Sequence, residues 1–183
     1  KRQGQFDKKY LKLPNEVLTT SMIKNQKYFP LFNKKNTLSN FFIIVSNLKP
    51  SDNGKKIIYG NQRVIEARLE DASFFWIKDN NSNFKDKGEE LKRIIFHNKL
   101  GSLNDKILRL KKIAIFFAEN IKLENESQRN LEVAIDICKN DLVTELVREF
   151  PSLQGIMGFY YSKQSGFNNV ICSAIKDHYK PNG

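Results

Sequence analysis

Residues 103–121 read LNDKILRLKKIAIFFAENI and carry the clearest structural signal in the chain. Apolar residues recur in it at steps of three and four, which places them on one face of an α-helix. Other helical patterns surround it and occupy residues 91–100, 131–150, 154–161 and 168–179. We therefore expect the second part of the chain to be a bundle of five helices, with a short connection at Gly101-Ser102.

Towards the N-terminus the signals are mixed. A proline followed by an acid in the first turn predicts a helix over residues 13–25. Aromatic and apolar runs at 28–32 and 41–45 predict two strands that pair antiparallel across a turn, and the second is apolar enough to be central in its sheet. Gly60-Asn61 precedes an amphipathic pattern, which predicts one more helix from that point.

A polar run over residues 79–83, Asp-Asn-Asn-Ser-Asn, separates the two parts and is expected to be a linker or a long loop. The predicted fold class is an α+β segment over residues 1–80, followed by a mostly α helical bundle over residues 81–183. No internal repeat with a period of 20 to 50 residues, as repeat proteins show, is visible.

The charge is strongly basic. The chain has 31 Lys and Arg against 20 Asp and Glu, for a formal net charge of +11. Residues 1–80 hold 15 of the basic and 7 of the acidic residues, whereas residues 81–183 hold 16 and 13. Such a balance favours a polyanionic partner, RNA or DNA before a membrane surface. Contact with nucleic acid is therefore expected mainly in the first part.

Composition also indicates the cellular compartment in which the protein is expected. No run approaches the roughly 18 apolar residues of a membrane helix, and the N-terminus carries no apolar stretch of the signal-peptide type. Cys138 and Cys172 lie among apolar residues, which predicts two reduced, buried thiols. We expect a cytoplasmic protein with no membrane partner. Because the chain lacks an initiator Met, we also expect it to be an interior piece of a longer protein.

Two groups of basic residues are candidate RNA contacts. The stretch from Lys24 to Phe29 interleaves cations with aromatics, the mix that binds phosphates and stacks on bases. The alternative is a helix end followed by a core strand, with lysines on the surface. Arg63 and Arg68 could line a phosphate-binding face, or could pair with carboxylates on the same helix.

Signals for catalysis are weak, since no Walker loop, GxGxxG, GxSxG or HExxH motif is present. His97, followed by Asp141, resembles the ligand order of HD metal phosphohydrolases, in which a His precedes an adjacent His-Asp pair. Here the pair reads Asn140-Asp141, and an amide is a poor ligand for a transition metal. The alternative is a surface or packed His97 and a hydrogen-bonded Asp141. Cys138 near His97 or His178 is likewise either a nucleophile with its base or a core thiol.

A series of distinctive strings runs through the chain from Leu13 to Pro181. They are LPNEVL at 13–18, QKYFPLF at 26–32, FIIVSN at 42–47, GNQRVI at 60–65, ARLEDASFF at 67–75, KLGSLNDK at 99–106, NDLVTE at 140–145, EFP at 149–151, LQGIMG at 153–158 and HYKP at 178–181. In this order and spacing they resemble the β subunit of bacterial heterotetrameric glycyl-tRNA synthetase. Their order and spacing together make the resemblance specific to that family.

The resemblance implies a piece of an α2β2 enzyme that joins glycine to its tRNA, with ATP and Mg used by the parent enzyme. In that family the α subunit carries the catalytic core, and the β subunit contacts tRNA. Residues 81–183 would form an HD-like helical domain that lacks a full set of metal ligands. Residues 1–80 would be the end of the α+β region before it. The implied partners are tRNA-Gly and the α subunit.

The expected role is therefore tRNA binding and positioning, with no cofactor, no metal and no catalytic residue in this chain. Two other functions stay open. One is an HD-type metal-dependent phosphohydrolase that uses His97 and Asp141, and the other is a structural module that only docks against other subunits or domains. The expected tRNA contacts are Lys24, Lys27, Arg63, Arg68, Lys99, Lys106 and Arg109.

Overall fold

The computed structural model describes residues 1–47 and 49–181. The chain divides into two compact units, Lys1–Ile77 and Lys78–Gly183. The first combines a small sheet with helices and the second is mainly helical, in agreement with the predicted α+β segment followed by helices. Within the described ranges, no helix combines the length and the apolar composition needed to cross a bilayer.

The first unit contains a three-stranded antiparallel sheet in the order β1-β3-β2. Its strands are β1 (Arg2–Gln5), β2 (Phe29–Phe32) and β3 (Leu38–Ile44). The predicted pairing of β2 with β3 is confirmed, and β3 is the central strand. Strand β1 was not predicted, because its polar sequence carries no alternating apolar signal.

Three aromatic rings form the centre of the first unit. Phe42 on β3 is fully buried, and the Tyr28 ring stacks on it with a centroid distance of 4.9 Å. The Phe6 ring lies on it at 6.5 Å. The Tyr28 hydroxyl donates a hydrogen bond to Oδ1 of Asn61, which joins the start of the β2 region to the long helix of the unit.

Helices flank this sheet. A 3-10 turn (Lys8–Lys12) precedes α1 (Asn15–Thr20), which continues as a π-helical turn (Ser21–Asn25). The helix predicted over 13–25 is thus confirmed apart from its ends. The long helix α2 spans Lys55–Asn80.

The predicted start of α2 at Gly60-Asn61 is wrong. The helix begins at Lys55 because the Asp52 carboxylate accepts hydrogen bonds from the backbone N–H groups of Gly54 and Lys56, each at 2.9 Å. Gly60 lies inside the helix, where an added Cβ would meet nothing within 4 Å. The predicted apolar stripe of this helix is confirmed at Ile65, Leu69 and Ala72, which are all fully buried.

The predicted linker at 79–83 is wrong in its first half. Helix α2 continues to Asn80, and the Asp79 side chain is buried, with 3% of its residue surface exposed. Its carboxylate accepts backbone hydrogen bonds, each 3.0 Å long, from Glu145 and Leu146. A polar residue that composition assigns to a loop is therefore part of the folded interior.

The second unit begins with a 3-10 segment (Asp86–Arg93) and a short hairpin of β4 (Ile95–His97) and β5 (Gly101–Ser102). The helix predicted at 91–100 is therefore wrong beyond residue 93. The remaining helices are α3 (Leu103–Asn120), α4 (Asn125–Ile137), α5 (Glu145–Glu149), α6 (Ile156–Gln164) and α7 (Asn169–Asp177).

Helix α3 begins where its capping residues place it. The Ser102 hydroxyl accepts from the backbone N–H of Asp105 at 3.2 Å, and the Asp105 carboxylate accepts from the backbone N–H of Ser102 at 2.7 Å. This reciprocal pair satisfies N–H groups that a helix start leaves without partners. The apolar residues of α3 are buried only in part, since Leu103 and Ile107 join the core with Leu91 and Val143.

The single helix predicted over 131–150 is wrong. Helix α4 ends at Ile137, a 3-10 turn covers Asn140–Val143, and α5 starts again at Glu145. The Thr144 hydroxyl accepts from the backbone N–H of Val147 at 3.3 Å and caps the new helix. The interruption keeps the apolar residues on the buried side. Their spacing in the sequence therefore still resembles that of one continuous helix.

Candidate nucleic-acid interface

The first unit places cations and aromatics beside strand β2. Lys24 and Lys27 are exposed at the end of the π-helical turn, and Lys27 has a positive φ of 57°. The Lys27 ammonium donates to the backbone carbonyl of Lys24 at 3.0 Å. Of the two aromatics that follow, Tyr28 is buried whereas Phe29 is 57% exposed. The helix end followed by a strand agrees with the structural alternative, and contact of this stretch with RNA stays a prediction.

The β2–β3 turn adds two more cations that the sequence reasoning assigned only to a turn. Lys34 and Lys35 are exposed, and the Phe32 ring just before them is 49% exposed. The Asn33 side chain shapes the turn, because its oxygen accepts from the backbone N–H groups of Lys35 and Thr37 at 2.9 and 3.0 Å. Lys34 follows Lys27 by seven positions, so the Cα atoms of the two residues lie at most about 25 Å apart.

We call this set the lysine–aromatic surface. The sequence contains a signal for it that was missed: residues 17–51 include five lysines and no Asp or Glu. Without local carboxylates, the positive charge of this stretch is not neutralised by its own chain. The surface consists of Lys24, Lys27, Phe29, Phe32, Lys34 and Lys35. Phe29 pairs with Ile43 and Phe32 with Leu38 on β3, so the two exposed rings project from opposite faces of the sheet.

The two arginines of α2 differ in environment. Arg63 is exposed, with its guanidinium carbon 5.8 Å from the centre of the Tyr59 ring. Arg68 is half-buried and already interacts within the protein. The Glu70 carboxylate, considered as a partner for these arginines, instead accepts from the Tyr10 hydroxyl and from Lys9, whose ammonium is 3.0 Å away. Both donors lower the pKa of Glu70.

The three basic residues predicted in the second unit surround the β4–β5 hairpin. The Lys106 ammonium lies 4.0 Å from the centre of the Phe96 ring, and Arg109 donates to the carbonyl of Leu100 at 2.8 Å. Lys99 is exposed, and its backbone N–H donates to Nδ1 of His97 at 3.2 Å. Two of the three side chains thus already contact the hairpin.

The residues considered for a metal do not fit one. His97 is exposed on β4, whereas Asp141 is fully buried. Oδ2 of Asp141 accepts from the backbone N–H groups of Gly155, at 2.5 Å, and Gly158, at 3.1 Å. Burial raises the pKa of Asp141 to about 6. Among the described residues, no three His, Cys, Asp or Glu side chains are grouped to hold a metal ion.

Asn140, which stands where an HD pair would carry its His, is a buried structural residue. Its Nδ2 donates to the carbonyl oxygens of Phe84 and Lys85 at 3.0 and 3.3 Å. Its Oδ1 and the Oδ1 of Asp141 are buried and accept no hydrogen bond in the described part of the chain. The pair therefore holds backbone segments together, as the structural alternative predicted.

The cysteines are free and buried, as predicted. Burial raises the pKa of the Cys138 thiol to about 11, which excludes a ready thiolate. His178 instead pairs with Lys139: its Nε2 lies 2.7 Å from the ammonium, and its Nδ1 lies 2.6 Å from the carbonyl of Ile175. Nδ1 therefore carries the proton and Nε2 accepts, and burial lowers the pKa of this imidazole.

A family model described as the glycyl-tRNA synthetase beta subunit matches residues 2–183. The chain belongs to this family. Among curated proteins named glycine--tRNA ligase beta subunit, the chain is 44% identical over 180 residues to one from Rickettsia peacockii (strain Rustic), covering 98% of this chain and 26% of the relative. It is 42% identical over 178 residues to one from Janthinobacterium sp. (strain Marseille), covering 97% of this chain and 25% of the relative. The chain thus spans about a quarter of the length of these relatives.

Proposed function

We propose that this chain binds and positions tRNA for the ATP-dependent attachment of glycine, as part of the β subunit of a cytoplasmic glycine–tRNA ligase. Bond-making belongs to the α subunit in this proposal. The chain contributes by holding the acceptor end of the tRNA near the activated amino acid, which makes the transfer effectively unimolecular. The second unit is the HD-like domain of that subunit, used as a scaffold without a metal.

The observation that carries the proposal is the lysine–aromatic surface in a member of this family. Lys24, Lys27, Lys34 and Lys35 are exposed in a stretch without carboxylates, and Phe29 and Phe32 lie exposed between them. Lysines supply phosphate contacts, and aromatic rings supply stacking for unpaired bases. Arg63, Arg68, Lys99, Lys106 and Arg109 remain predicted contacts of lower rank, because most of them already contact other groups of the protein.

The test uses a complete glycine–tRNA ligase in which Lys24, Lys27, Lys34 and Lys35 of the β subunit are all changed to Gln. Each lost phosphate contact removes about one unit from the slope of log affinity against log salt. We expect the affinity for tRNA-Gly to fall about tenfold or more at low salt. The KM for tRNA should rise, whereas glycine-dependent ATP–pyrophosphate exchange should not change.

The matched control removes the same number of positive charges from the second unit, by changing Lys112, Lys122, Lys163 and Lys176 to Gln. All four are exposed. An identical loss in both variants would mean that only total charge matters. If the affinity and the salt slope of the first variant equal those of the wild type, the assignment of tRNA contacts to this surface is wrong.

The phosphohydrolase alternative has no support from the described residues. It needs His97 and Asp141 to share a metal, yet His97 is exposed on β4 and Asp141 is fully buried. Oδ2 of Asp141 also already accepts from the N–H groups of Gly155 and Gly158. The docking alternative has one observation in its favour, because several large apolar side chains of the second unit are exposed.

A further inference from the structure

An open groove of about 610 Å³ lies on the second unit, beside α3. Leu110, Ile113 and Phe117 form its α3 side and are 36%, 54% and 59% exposed. Ile135 of α4 and Tyr179, just after α7, line the other side. Exposed apolar side chains grouped around one groove are candidates for an interaction site.

The spacing along α3 indicates the shape of the occupant. Leu110, Ile113 and Phe117 follow one another at steps of three and four, so they form a straight stripe along the helix. A groove beside such a stripe accepts a second helix, whose own apolar residues at the same spacing enter it. Phe116, equally exposed at 61%, lies about 100° away around the helix and is outside the groove lining.

Two cations in the groove indicate the charge of the occupant. The Lys106 ammonium lies 4.0 Å from the centre of the Phe96 ring. Lys139 is buried, and its ammonium contacts His178 at 2.7 Å and the Tyr179 ring at 3.6 Å. Within the described ranges, neither lysine forms an ion pair with a carboxylate. The charge of Asp141 acts on Lys139 at longer range than an ion pair. A ligand that brings carboxylates within ion-pair distance of Lys106 and Lys139 therefore complements this groove.

The lining favours a peptide helix over RNA. Leu110, Ile113 and Ile135 are aliphatic and offer no flat surface for a base, whereas the Phe117 ring, 59% exposed, does offer one. The Tyr179 ring, which could stack on a base, is already covered on one face by the Lys139 ammonium at 3.6 Å. Aliphatic side chains packed against aliphatic side chains are instead the usual contact between two helices.

We propose that this groove binds an acidic amphipathic helix of the partner subunit. The apolar stripe of that helix packs against Leu110, Ile113 and Phe117, and its carboxylates pair with Lys106 and Lys139. The proposal rests on the proposed function, because a β subunit of this family assembles with a partner chain. It assigns to the second unit a role in assembly, distinct from the tRNA role of the lysine–aromatic surface.

The experiment measures the dissociation constant between the full-length β subunit and the α subunit by analytical ultracentrifugation. Phe117→Glu places a carboxylate in the apolar stripe and opposite an acidic helix, so association should weaken about tenfold or more. Phe116→Glu is the matched control, because it adds the same charge to the neighbouring residue outside the groove. We expect this control to assemble as the wild type does.

A second pair of variants tests the charges without changing the apolar lining. Lys106→Glu should also weaken association about tenfold, and the defect should shrink as salt is raised, since the contact is electrostatic. Lys112→Glu reverses an exposed charge elsewhere on α3 and should have no effect. This pair keeps the proposal testable even if Phe117→Glu fails to fold.

Other outcomes would overturn the proposal. Wild-type association in both Phe117→Glu and Lys106→Glu excludes an α-subunit helix in the groove. Normal assembly with weaker tRNA binding would identify RNA as the occupant, and normal assembly with a lower unfolding temperature of the isolated β subunit would identify another segment of the same chain. The tRNA proposal is tested separately, by the variant in which Lys24, Lys27, Lys34 and Lys35 of the first unit are changed to Gln.

Discussion

The Tyr161 hydroxyl donates a hydrogen bond to Oδ2 of Asp79 at 2.9 Å, although the two residues are 82 positions apart in the chain. The same carboxylate accepts from the backbone N–H groups of Glu145 and Leu146, each at 3.0 Å. A helix start leaves its first N–H groups without partners. Asp79, from a distant part of the sequence, supplies the acceptor for two such groups of α5. Burial, followed by the charge of Asp79, raises the pKa of Tyr161, so its hydroxyl stays protonated and donates.

Removal of this carboxylate should destabilise the second unit. In Asp79→Ala the hydroxyl and two backbone N–H groups lose their acceptor, and we expect the free energy of unfolding to fall by about 3 kcal/mol. Amide hydrogen exchange at Glu145 and Leu146 should accelerate by the corresponding factor. Tyr161→Phe, which removes one donor and leaves the backbone bonds, should cost about 1 kcal/mol. Unchanged exchange in Asp79→Ala would show that α5 does not depend on this cap.

Asp141 should make stability depend on pH. Burial raises its pKa from 3.8 to about 6, so the folded protein holds this proton more tightly than the unfolded chain does. Its contribution is therefore fully present below about pH 4 and is lost as the pH rises through about 6, a change of about 3 kcal/mol. We expect the free energy of unfolding of the wild type, measured with urea, to fall relative to that of Asp141→Asn as the pH rises over this range. A stability difference that stays constant as the pH rises through about 6 would contradict this assignment.

Lys139 should have the opposite dependence at alkaline pH. Burial lowers its pKa from 10.5 to about 8, so between about pH 8 and pH 10 the folded protein has lost a proton that the unfolded chain still holds. Stability linked to this group therefore rises with pH in that window. Lys139→Met should abolish the rise in thermal unfolding temperature, whereas Lys163→Met, at an exposed position, should leave it. If the unfolding temperature of Lys139→Met still rises with pH as in the wild type, another titrating group causes the rise.

Gly155 should tolerate no side chain. Its φ is 79°, a region that L-residues with a side chain rarely adopt, and an added Cβ would lie 3.2 Å from Cδ2 of Tyr179 and 3.3 Å from the carbonyl of Lys176. Gly166 shares the positive φ, at 81°, but an added Cβ there meets nothing within 4 Å. Gly166→Ala should cost about 1 kcal/mol from backbone strain alone, and Gly155→Ala clearly more. Equal unfolding temperatures for the two variants would contradict this reasoning.

The helices and strands whose residues alternate or repeat regularly were predictable. Leu103–Asn120 and Asn169–Asp177 match their predicted ranges closely, as does the pairing of Phe29–Phe32 with Leu38–Ile44. The hairpin Ile95–Ser102 and the break after Ile137 were not predictable from spacing. Apolar residues three and four apart suit a helix, but a hairpin or a 3-10 turn can bury the same residues when the surrounding structure favours it.

Some features of the candidate sites were likewise predictable from the sequence, and others were not. The excess of positive charge in the first part was visible in the composition, because charge is a property of the residues themselves. Which aromatics are exposed was not, since Tyr28 and Phe29 are neighbours in sequence and differ only in the side of the chain that the sheet covers.

Residue identity and local spacing suffice to indicate the family, the basic character of the N-terminal part and most helix positions. Long-range packing is needed to explain that Asp79 caps a distant helix, that Oδ2 of Asp141 accepts from two glycine N–H groups, and that an apolar stripe of α3 is exposed. Each of these depends on which distant segment packs against a side chain. Burial and hydrogen-bond partners are set by that packing, and no local pattern of residues encodes it.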